Sequence, residues 1–326
     1  MTDSSNCVTY SPALTIVPTY ECFNRCTYCN FRVDPYQDTW LSLADLRSRL
    51  DTARSQEVIE ILVMSGEVNP RSPRRSAWFS QIYQICEIAL EQGFLPHTNV
   101  GLLSVAEMAE LKKVNVSMGL MLEQLTPALQ QGVHRHAPSK HPELRLAQLE
   151  QAGRLGLPFT TGLLLGIGET PWDRLATLEA IAQCHKSWGH IQEVILQPHQ
   201  PGASQVEGRH PFDSQMLIDF VQVARQVLPA DITLQIPPNL VADEASLLAA
   251  IASGARDLGG LGPLDEVFPD FAHPHPAQLR TVLNKAGWQL QPRLPLYPHY
   301  DDWLDPSLLV AVELWRNRLN SAVIST

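Results

Sequence analysis

The length, composition and charge of the chain favour one large folded unit and argue against two classes of partner. The 326 residues are 44% hydrophobic and carry a formal net charge of −10, which allows a large core. No run of about five basic residues appears, so nucleic acid is not expected as a partner. No stretch of about 18 apolar residues appears either, so no membrane span is expected.

The start of the chain and its cysteines predict a cytoplasmic protein with reduced thiols. The residues from Met1 to Asn6 lack the charged and apolar regions of a signal peptide. In a reducing compartment, a cysteine cluster indicates metal or redox chemistry rather than disulfides. Cys7, Cys86 and Cys184 are isolated in the sequence, and we expect each to be an ordinary packed thiol.

Short apolar segments alternate with longer amphipathic segments along most of the chain. Ser42, Ser104 and Thr170 are each followed three residues later by an acidic residue, which is typical of a helix start. The predicted strands, in chain order, are Leu14–Pro18, Ile59–Met64, Phe94–His97, Val114–Met118, Phe159–Leu165, Glu193–Leu196, Ile232–Gln235 and Ala255–Leu258.

Eight strand–helix alternations with short links predict a parallel α/β fold. Eight is the number of strands that closes a TIM-type (βα)8 barrel, although an open doubly wound sheet stays possible. After Gly260 the composition shifts towards proline, aspartate and histidine, and a last amphipathic helix is predicted from about Pro306 to Asn320. We therefore predict a barrel over residues 1–260 and a C-terminal covering segment over residues 261–326, both in one domain.

Three cysteines lie close together directly after the first predicted strand, at Cys22, Cys26 and Cys29. Three thiolates can hold a metal centre, but they leave its fourth position open. A structural zinc site takes four protein ligands, and an electron-transfer iron–sulfur cluster usually takes four cysteines. The loop therefore predicts a metal centre that something other than these cysteines completes. Zinc completed by a nearby histidine stays as the alternative.

Polar or glycine-rich segments follow nearly every predicted strand. In a (βα) barrel the C-terminal ends of the strands meet at one face, where function gathers. The cysteine loop follows the first strand, so we expect it at this face beside a substrate pocket. The residues predicted around it, after strands two to eight, are Ser65, Gly66, Glu67, Asn99, Ser117, Glu123, Gly166, Ile167, Gln197, His199, Asn239 and Asp257.

The cysteine loop resembles the cluster motif of the radical S-adenosylmethionine (SAM) superfamily. The spacing from Cys22 to Cys26 to Cys29 and the aromatic Tyr28 before the last cysteine carry the resemblance. It implies that the three thiolates hold a [4Fe–4S] cluster and that SAM binds the open iron through its amino and carboxylate groups. It also implies that Tyr28 stacks near the adenine, with plain core packing as the alternative.

Two further segments resemble the superfamily's SAM-binding elements. Ser65-Gly66-Glu67 is similar to the Gly-Gly-Glu segment that contacts the SAM amino group, with serine in place of the first glycine. The segment from Gly162 to Glu169, which contains Gly166 and Ile167, is similar to the fifth-strand segment that packs along the adenine.

The remaining candidates are polar residues for which the resemblance implies a contact with SAM, or for which the position after a strand indicates the substrate pocket. Arg135 is expected at the SAM carboxylate and Glu123 at the ribose hydroxyls, with a structural ion pair or a solvated face as alternatives. Asn99 and Ser117 are expected near SAM, although a polar strand end is often only a cap or turn. The other polar positions are interpreted as follows: Asp257 and Gln197 as candidate catalytic residues in the substrate pocket, with a structural role as the alternative, His134 and His136 as ordinary loop histidines, and His273 as part of a turn.

Longer segments are similar to one branch of the superfamily, the CofG family of deazaflavin synthase subunits. The similarity extends from about Tyr10 to Leu319 and implies a complete (βα)8 barrel. It also implies cyclisation of 5-amino-5-(4-hydroxybenzyl)-6-(D-ribitylimino)-5,6-dihydrouracil to 7,8-didemethyl-8-hydroxy-5-deazariboflavin, with release of ammonia, methionine and 5′-deoxyadenosine. The segments that carry it are Met118–Glu123, Val133–Lys140, Phe159–Glu169 and Ile191–Gln197.

The resemblance also implies partners and leaves alternatives open. CofH would supply the substrate, and a reductase, ferredoxin or flavodoxin would supply electrons. Another barrel-type radical SAM enzyme, CofH-like or biotin-synthase-like, is one alternative, but the isolated cysteines form no second cluster motif. A non-catalytic iron–sulfur electron carrier is the other alternative, and it would need a fourth cysteine ligand.

Overall fold

Eight parallel strands close into a barrel, as the strand–helix alternation predicts, and the open doubly wound sheet is excluded. The computed structural model describes residues 6–205 and 208–324, with the backbone alone at 322–324. Residues 1–5, for which no signal peptide was predicted, lie outside the described residues. The strands are β1 (Cys7–Ile16), β2 (Glu60–Met64), β3 (Leu95–Asn99), β4 (Ser117–Gly119), β5 (Phe159–Leu165), β6 (Ile191–Pro198), β7 (Thr233–Gln235), β8 (Asp257–Leu261) and β9 (Gln289–Pro292). Each of β1 to β8 pairs with the next, and β8 pairs with β1, which closes the ring.

Helices follow the strands and share one buried apolar core with the outer face of the barrel. Ser42, Ser104 and Thr170 are confirmed as N-caps, because each side chain accepts a hydrogen bond from the backbone N–H three residues later. None of the described helices combines the length and apolar character that a membrane crossing requires. They are α1 (Leu43–Arg54), α2 (Arg75–Glu91), α3 (Val105–Leu111), α4 (Pro142–Arg154), α5 (Pro171–Trp188), α6 (Ser214–Val227), α7 (Glu244–Ala252), α8 (Pro276–Lys285) and α9 (Pro306–Ile324), with short 3₁₀ turns at Pro127–Gln131, Pro138–Lys140, Pro238–Leu240 and Pro298–Trp303.

Strand boundaries differ from the predictions at three places that matter for function. Strand β1 starts at Cys7, earlier than predicted, whereas β4 and β8 start later, at Ser117 and Asp257. Strand β9 was not predicted. The late starts place Ser117 and Asp257 at the N-terminal ends of their strands, and therefore at the opposite end of the barrel from the cysteine loop.

The C-terminal segment joins the barrel wall through β1. The first half of β1 pairs with β9 (Cys7 with Gln289), and its second half pairs with β2 (Ala13 with Glu60). A separate apolar cluster then packs the segment against the bases of β2, β3 and the residues before β4. It contains Ile59, Leu95 and Val116 from the barrel and Leu294, Leu296, Tyr300, Leu308 and Val312 from the segment. The predicted domain boundary at residue 260 is not tested by this packing and stays a prediction.

A buried ion-pair network closes the N-terminal end of the barrel. Arg293, just after β9, donates two hydrogen bonds to Asp257, at 2.6 and 2.8 Å, and also bonds to Glu193 of β6. Thr9 of β1 bonds to the same Asp257 carboxylate, and the Tyr297 hydroxyl donates to Glu193 at 3.0 Å. The Arg293 guanidinium thus connects β8 to β6, and Asp257 extends the network to Thr9 of β1.

Replacement of Arg293 by methionine is expected to destabilise the fold strongly. The variant leaves Asp257 and Glu193 buried without their cation, which costs about 3–5 kcal/mol of unfolding free energy. Arg154→Met is the matched control: the Arg154 side chain is 64% exposed, and its pair with Glu150 is worth at most about 1 kcal/mol. Urea unfolding of the two variants measures the difference. Equal losses in both variants would contradict a structural role for the network.

Candidate active site

The cysteine loop lies between β1 and α1, at the C-terminal face of the barrel, and backbone hydrogen bonds hold it on two sides. Arg25 and Thr27 donate to the carbonyls of His136 and Val133, at 2.7 and 3.1 Å, in the segment after β4. On the other side, the Phe23 N–H donates to the Glu67 carbonyl, just after β2, at 3.0 Å. The loop is therefore clamped between two neighbouring parts of the barrel face.

The three cysteines of the loop are free thiols in this structure. Burial raises the pKa of Cys22 to about 11 and that of Cys26 to about 12, and the charges of neighbouring cysteines contribute. Any metal centre that these thiols bind must therefore displace their protons. Among the described residues, no group of three or more His, Cys, Asp or Glu is arranged to hold a single metal ion.

The donor set fits a cluster with one open position. The described chain brings no fourth cysteine into the loop, since Cys86 and Cys184 are buried elsewhere and Cys7 begins β1. Beside Cys29, both polar atoms of the Asn30 amide are buried and find no hydrogen-bond partner in the described part of the chain, although the residue lines the cavity below. A buried amide without partners is costly, so this position is suited to a polar ligand.

Gly66 allows the end of β2 to approach the cysteine loop. Its N–H donates to the Thr19 carbonyl at 2.9 Å, and an added Cβ would lie 2.1 Å from the Glu21 carbonyl oxygen. No side chain fits at that distance. Ser65, which replaces the expected first glycine, accepts a hydrogen bond from the Trp78 indole at 2.9 Å and lines the cavity.

Two carboxylates and two cations alternate at the mouth of the cavity. Arg145 lies 3.8 Å from Glu67 and 3.7 Å from Glu123, and Lys140 forms an ion pair with Glu123. All four residues line the cavity. Burial by itself would raise the pKa of Glu123, but Lys140, with His134 and Arg145, holds that pKa well below its ordinary value. Glu123 is therefore ionised at neutral pH.

Tyr28 connects the cysteine loop to Glu123. Its hydroxyl donates to the Glu123 carboxylate at 2.5 Å and lies 2.8 Å from Nε2 of His134. His134 lies in the loop after β4, as expected, but it is only 3% exposed and is a buried partner of Tyr28 and Glu123. Tyr28, Cys26, Val133 and Ile167 belong to one small apolar cluster beside the cavity.

The residues after β5 present backbone and apolar surface rather than free N–H groups. The N–H groups of Gly166 and Ile167 both donate to the carboxylate of Glu169, at 2.7 and 2.8 Å, and Arg174 neutralises that carboxylate. Ile167 is fully buried against the Tyr28 cluster. Neither Gly166 nor Ile167 lines the cavity, so the predicted contact of this segment with the adenine stays a prediction.

One cavity of about 330 Å³ runs from the cysteine loop down the inside of the barrel to Arg293. Its upper wall includes Asn99 and Gln197, as their positions after the strands predict. Apolar side chains from Leu62, Met64 and Ile195 line its middle. The cavity therefore joins a polar, charged mouth to a polar floor through an apolar waist.

The structure corrects the predicted positions of Ser117 and Asp257. Both residues begin their strands and are fully buried at the floor, far from the cysteine loop along the strand direction. The Ser117 hydroxyl donates to the Pro295 carbonyl at 2.5 Å, and Asp257 forms an ion pair with Arg293. Both side chains bond to the C-terminal segment and so hold it to the barrel, and neither side chain lines the cavity.

Arg135, expected at the SAM carboxylate, does not line the cavity. Its side chain is exposed and bonds to the neighbouring His136 ring at 3.2 Å. At the mouth, Lys140 and Arg145 are the cations that line the cavity among the described residues, and sequence reasoning missed both. Lys140 ends the CofG-like segment that starts at Val133, so the resemblance of that segment could have indicated Lys140 as a site residue.

Other predicted positions lie near the cavity with different partners. The Asn239 amide donates to Asp265 at 2.8 Å and does not line the cavity, and His199 is buried. His273, expected in a turn, does line the cavity, and its Nε2 lies 3.6 Å from Asp265. Asp265 and His273 follow β8, so this part of the C-terminal segment closes part of the mouth.

Sequence and structure comparisons place this site in a known family. The radical SAM superfamily profile matches residues 16–181. A 7,8-didemethyl-8-hydroxy-5-deazariboflavin synthase of Synechococcus elongatus is 61% identical over 314 residues, which cover 96% of this chain and 94% of the relative. The synthase of the same name from Trichodesmium erythraeum is 57% identical over 97% of this chain and 99% of the relative.

Solved structures with low sequence identity share the fold. The FeFe-hydrogenase maturase HydG from Carboxydothermus hydrogenoformans matches with a TM-score of 0.74 at 18% identity, over 94% of this chain and 76% of its own. Methylornithine synthase (PylB) matches with a TM-score of 0.69 at 14% identity, over 89% of this chain and 85% of its own. The closed barrel, the motif and the full-length relatives agree: the chain belongs to the radical SAM superfamily and, within it, to the family of 7,8-didemethyl-8-hydroxy-5-deazariboflavin synthases.

Proposed function

We propose that this chain is the CofG-type subunit that closes the ring of 7,8-didemethyl-8-hydroxy-5-deazariboflavin. Its substrate would be 5-amino-5-(4-hydroxybenzyl)-6-(D-ribitylimino)-5,6-dihydrouracil, and ammonia would leave, which makes the enzyme a lyase. The observation that carries the proposal is the enclosed cavity with the three-cysteine loop at its mouth, in a chain 61% identical to a synthase of that name.

The family implies a [4Fe–4S] cluster and SAM, and the residues present fit both. Cys22, Cys26 and Cys29 would hold the cluster. Bound there, the cluster and SAM supply a one-electron reductive cleavage that yields methionine and a 5′-deoxyadenosyl radical. Glu67 would accept hydrogen bonds from the SAM amino group, and the ionised Glu123 would accept from the ribose hydroxyls.

Lys140 and Arg145 take the place that the sequence assigned to Arg135. They balance the charges of Glu67 and Glu123, so the mouth carries no uncompensated carboxylate before a ligand arrives. We therefore propose that SAM is bound within this alternating ring and that the unpartnered Asn30 amide contributes a polar contact. Tyr28 holds Glu123 in position through its hydroxyl.

The barrel would protect a reactive radical from water and from side reactions. The floor is closed by the Arg293 network, so a substrate reaches the apolar waist only from the face that carries the cysteine loop. Exclusion of water and fixed placement of the substrate are the contributions that a protein makes to cofactor chemistry of this kind.

The proposal includes partners and a compartment. CofH would supply the substrate, and a reductase, ferredoxin or flavodoxin would supply the electron. The reduced thiols of the loop are consistent with a cytoplasmic location, which we propose on that ground.

Anaerobic turnover tests the proposed function directly. Reconstituted enzyme with SAM, a reductant and the product of CofH is expected to yield deazaflavin fluorescence, ammonia and 5′-deoxyadenosine. Cys26→Ala is expected to abolish all three, because the cluster loses one of its three ligands. Cys7→Ala, a cysteine substitution outside the loop, is the control and should retain them. Cleavage of SAM without deazaflavin would disprove the substrate, and SAM turnover by Cys26→Ala would disprove the cluster assignment.

Gly66→Ala is expected to prevent assembly of the cluster site while leaving the barrel folded. The added Cβ would collide with the Glu21 carbonyl and push the end of β2 away from the cysteine loop. Iron and sulfide content after reconstitution should fall several-fold, and far-UV circular dichroism should not change. Gly208→Ala is the control, because a Cβ there meets nothing within 4 Å. Normal iron content in Gly66→Ala would show that the close approach is dispensable.

A further inference from the structure

We propose that the floor of the cavity binds the ribityl chain of the substrate and rejects the same chain when it carries a phosphate. The inference rests on the proposed function and adds the orientation of the substrate and a rule of specificity. The floor is defined by six cavity-lining polar residues at the N-terminal end of the barrel: Glu60, His97, Thr160, Gln192, Glu193 and Arg293.

His97 presents a hydrogen-bond acceptor to the cavity. The Ser117 hydroxyl donates its only proton to the Pro295 carbonyl at 2.5 Å, so it must accept from Nδ1–H of His97, 2.7 Å away. Nε2 therefore carries the lone pair, and it receives no hydrogen bond from any described residue. Gly119 leaves this nitrogen accessible, because a Cβ there would lie 3.0 Å from it. Burial, with the charge of Arg293, lowers the pKa of His97 to about 3, so the ring is neutral.

Arg293 has little capacity left for an anionic ligand, because its side chain donates to Asp257, Glu193 and the Leu294 carbonyl. Its guanidinium is bonded to both Asp257 and Glu193, and one cation thus faces two buried carboxyl groups. Glu60 adds a third carboxyl group to the same floor. A phosphate entering here would find no unpaired cation among the described floor residues, so the loss of its hydration would be poorly compensated.

The other floor groups can both donate and accept. Burial raises the pKa of Glu193 and of Glu60, which favours protonated, neutral carboxyl groups. Gln192 donates to the Pro295 carbonyl at 3.1 Å and lies near the Thr160 hydroxyl, which bonds to Glu193 at 3.2 Å. Neutral groups of mixed donor and acceptor character match a chain of hydroxyls, each of which donates once and accepts twice.

The rest of the cavity suits the ring system and so fixes the orientation. Leu62, Met64 and Ile195 form the apolar waist above the floor, which matches the aromatic and pyrimidine rings. If the ribityl chain pointed towards the mouth instead, the rings would lie against the polar floor, whose groups would then lack hydroxyl partners. With the chain at the floor, the reacting rings lie between the floor and the cysteine loop.

Equilibrium binding of the deazaflavin product tests the inference without turnover. The probes are 7,8-didemethyl-8-hydroxy-5-deazariboflavin, its analogue with N-methyl in place of N-ribityl, and its ribityl 5′-phosphate. Reconstituted enzyme with SAM is titrated with each probe, and the deazaflavin fluorescence reports Kd. We expect the N-methyl analogue and the phosphate each to bind at least about tenfold more weakly than the product.

The His97→Phe variant locates the effect at the floor. It removes the free acceptor and should weaken binding of the product several-fold while leaving the affinity for the N-methyl analogue unchanged. His210→Phe, at an exposed residue, is the matched control and should change neither. If His97→Phe does not fold, the three probes on the wild-type enzyme decide the question alone.

The outcomes separate the two proposals. Equal affinity for the three probes, or tighter binding of the phosphate, would overturn the inference and leave the deazaflavin synthase activity standing. No binding of any deazaflavin, together with no deazaflavin formed from the CofH product, would overturn the proposed function and the inference with it. Weaker binding of both analogues, with the loss in His97→Phe confined to the product, would support the ribityl site.

Discussion

The ion-pair network around Arg293 is the constraint on which the rest of the structure depends. It brings the C-terminal segment under the barrel, joins Asp257 of β8 to Glu193 of β6, and thereby closes one end of the cavity. A buried network of this kind contributes little net stability relative to an apolar core, but it becomes very costly when one partner is missing. Its importance is therefore geometric: it makes a chamber with one open face, and the cysteine loop lies at that face.

A second charged group organises the open face. Glu123 accepts from Tyr28 of the cysteine loop and pairs with Lys140, while Arg145 lies between Glu123 and Glu67. These contacts connect the loop after β1 to the segments after β2 and β4. Because the charges balance one another before any ligand binds, the mouth can be held in place without a cofactor. Exchange of one partner for a ligand group then costs less than creation of a new charge in a buried site.

Local patterns were sufficient for the architecture and for the loop. The strand–helix alternation predicted the closed barrel, both ends of β5 agree with prediction, and the acids after Ser42, Ser104 and Thr170 marked true helix starts. These features depend on residues close together in the chain, where propensity and capping act. The strand boundaries were predicted less well. Strands β4 and β8 start two or three residues later than expected, so Ser117 and Asp257 lie at the other end of the barrel from the one predicted.

The sequence by itself determined the chemistry that the chain can carry: three cysteines at a fixed spacing on one loop, a glycine two residues past β2, and eight strands to place them. The tertiary structure alone decided which polar residues face the cavity. Arg293, about 100 residues from Glu193, enters the barrel floor only because β9 adds to the edge of β1 that β2 leaves free. Lys140 and Arg145 replace Arg135 at the mouth because the direction of each side chain depends on packing across the barrel. Contacts between distant segments follow from that packing, and no local pattern encodes them.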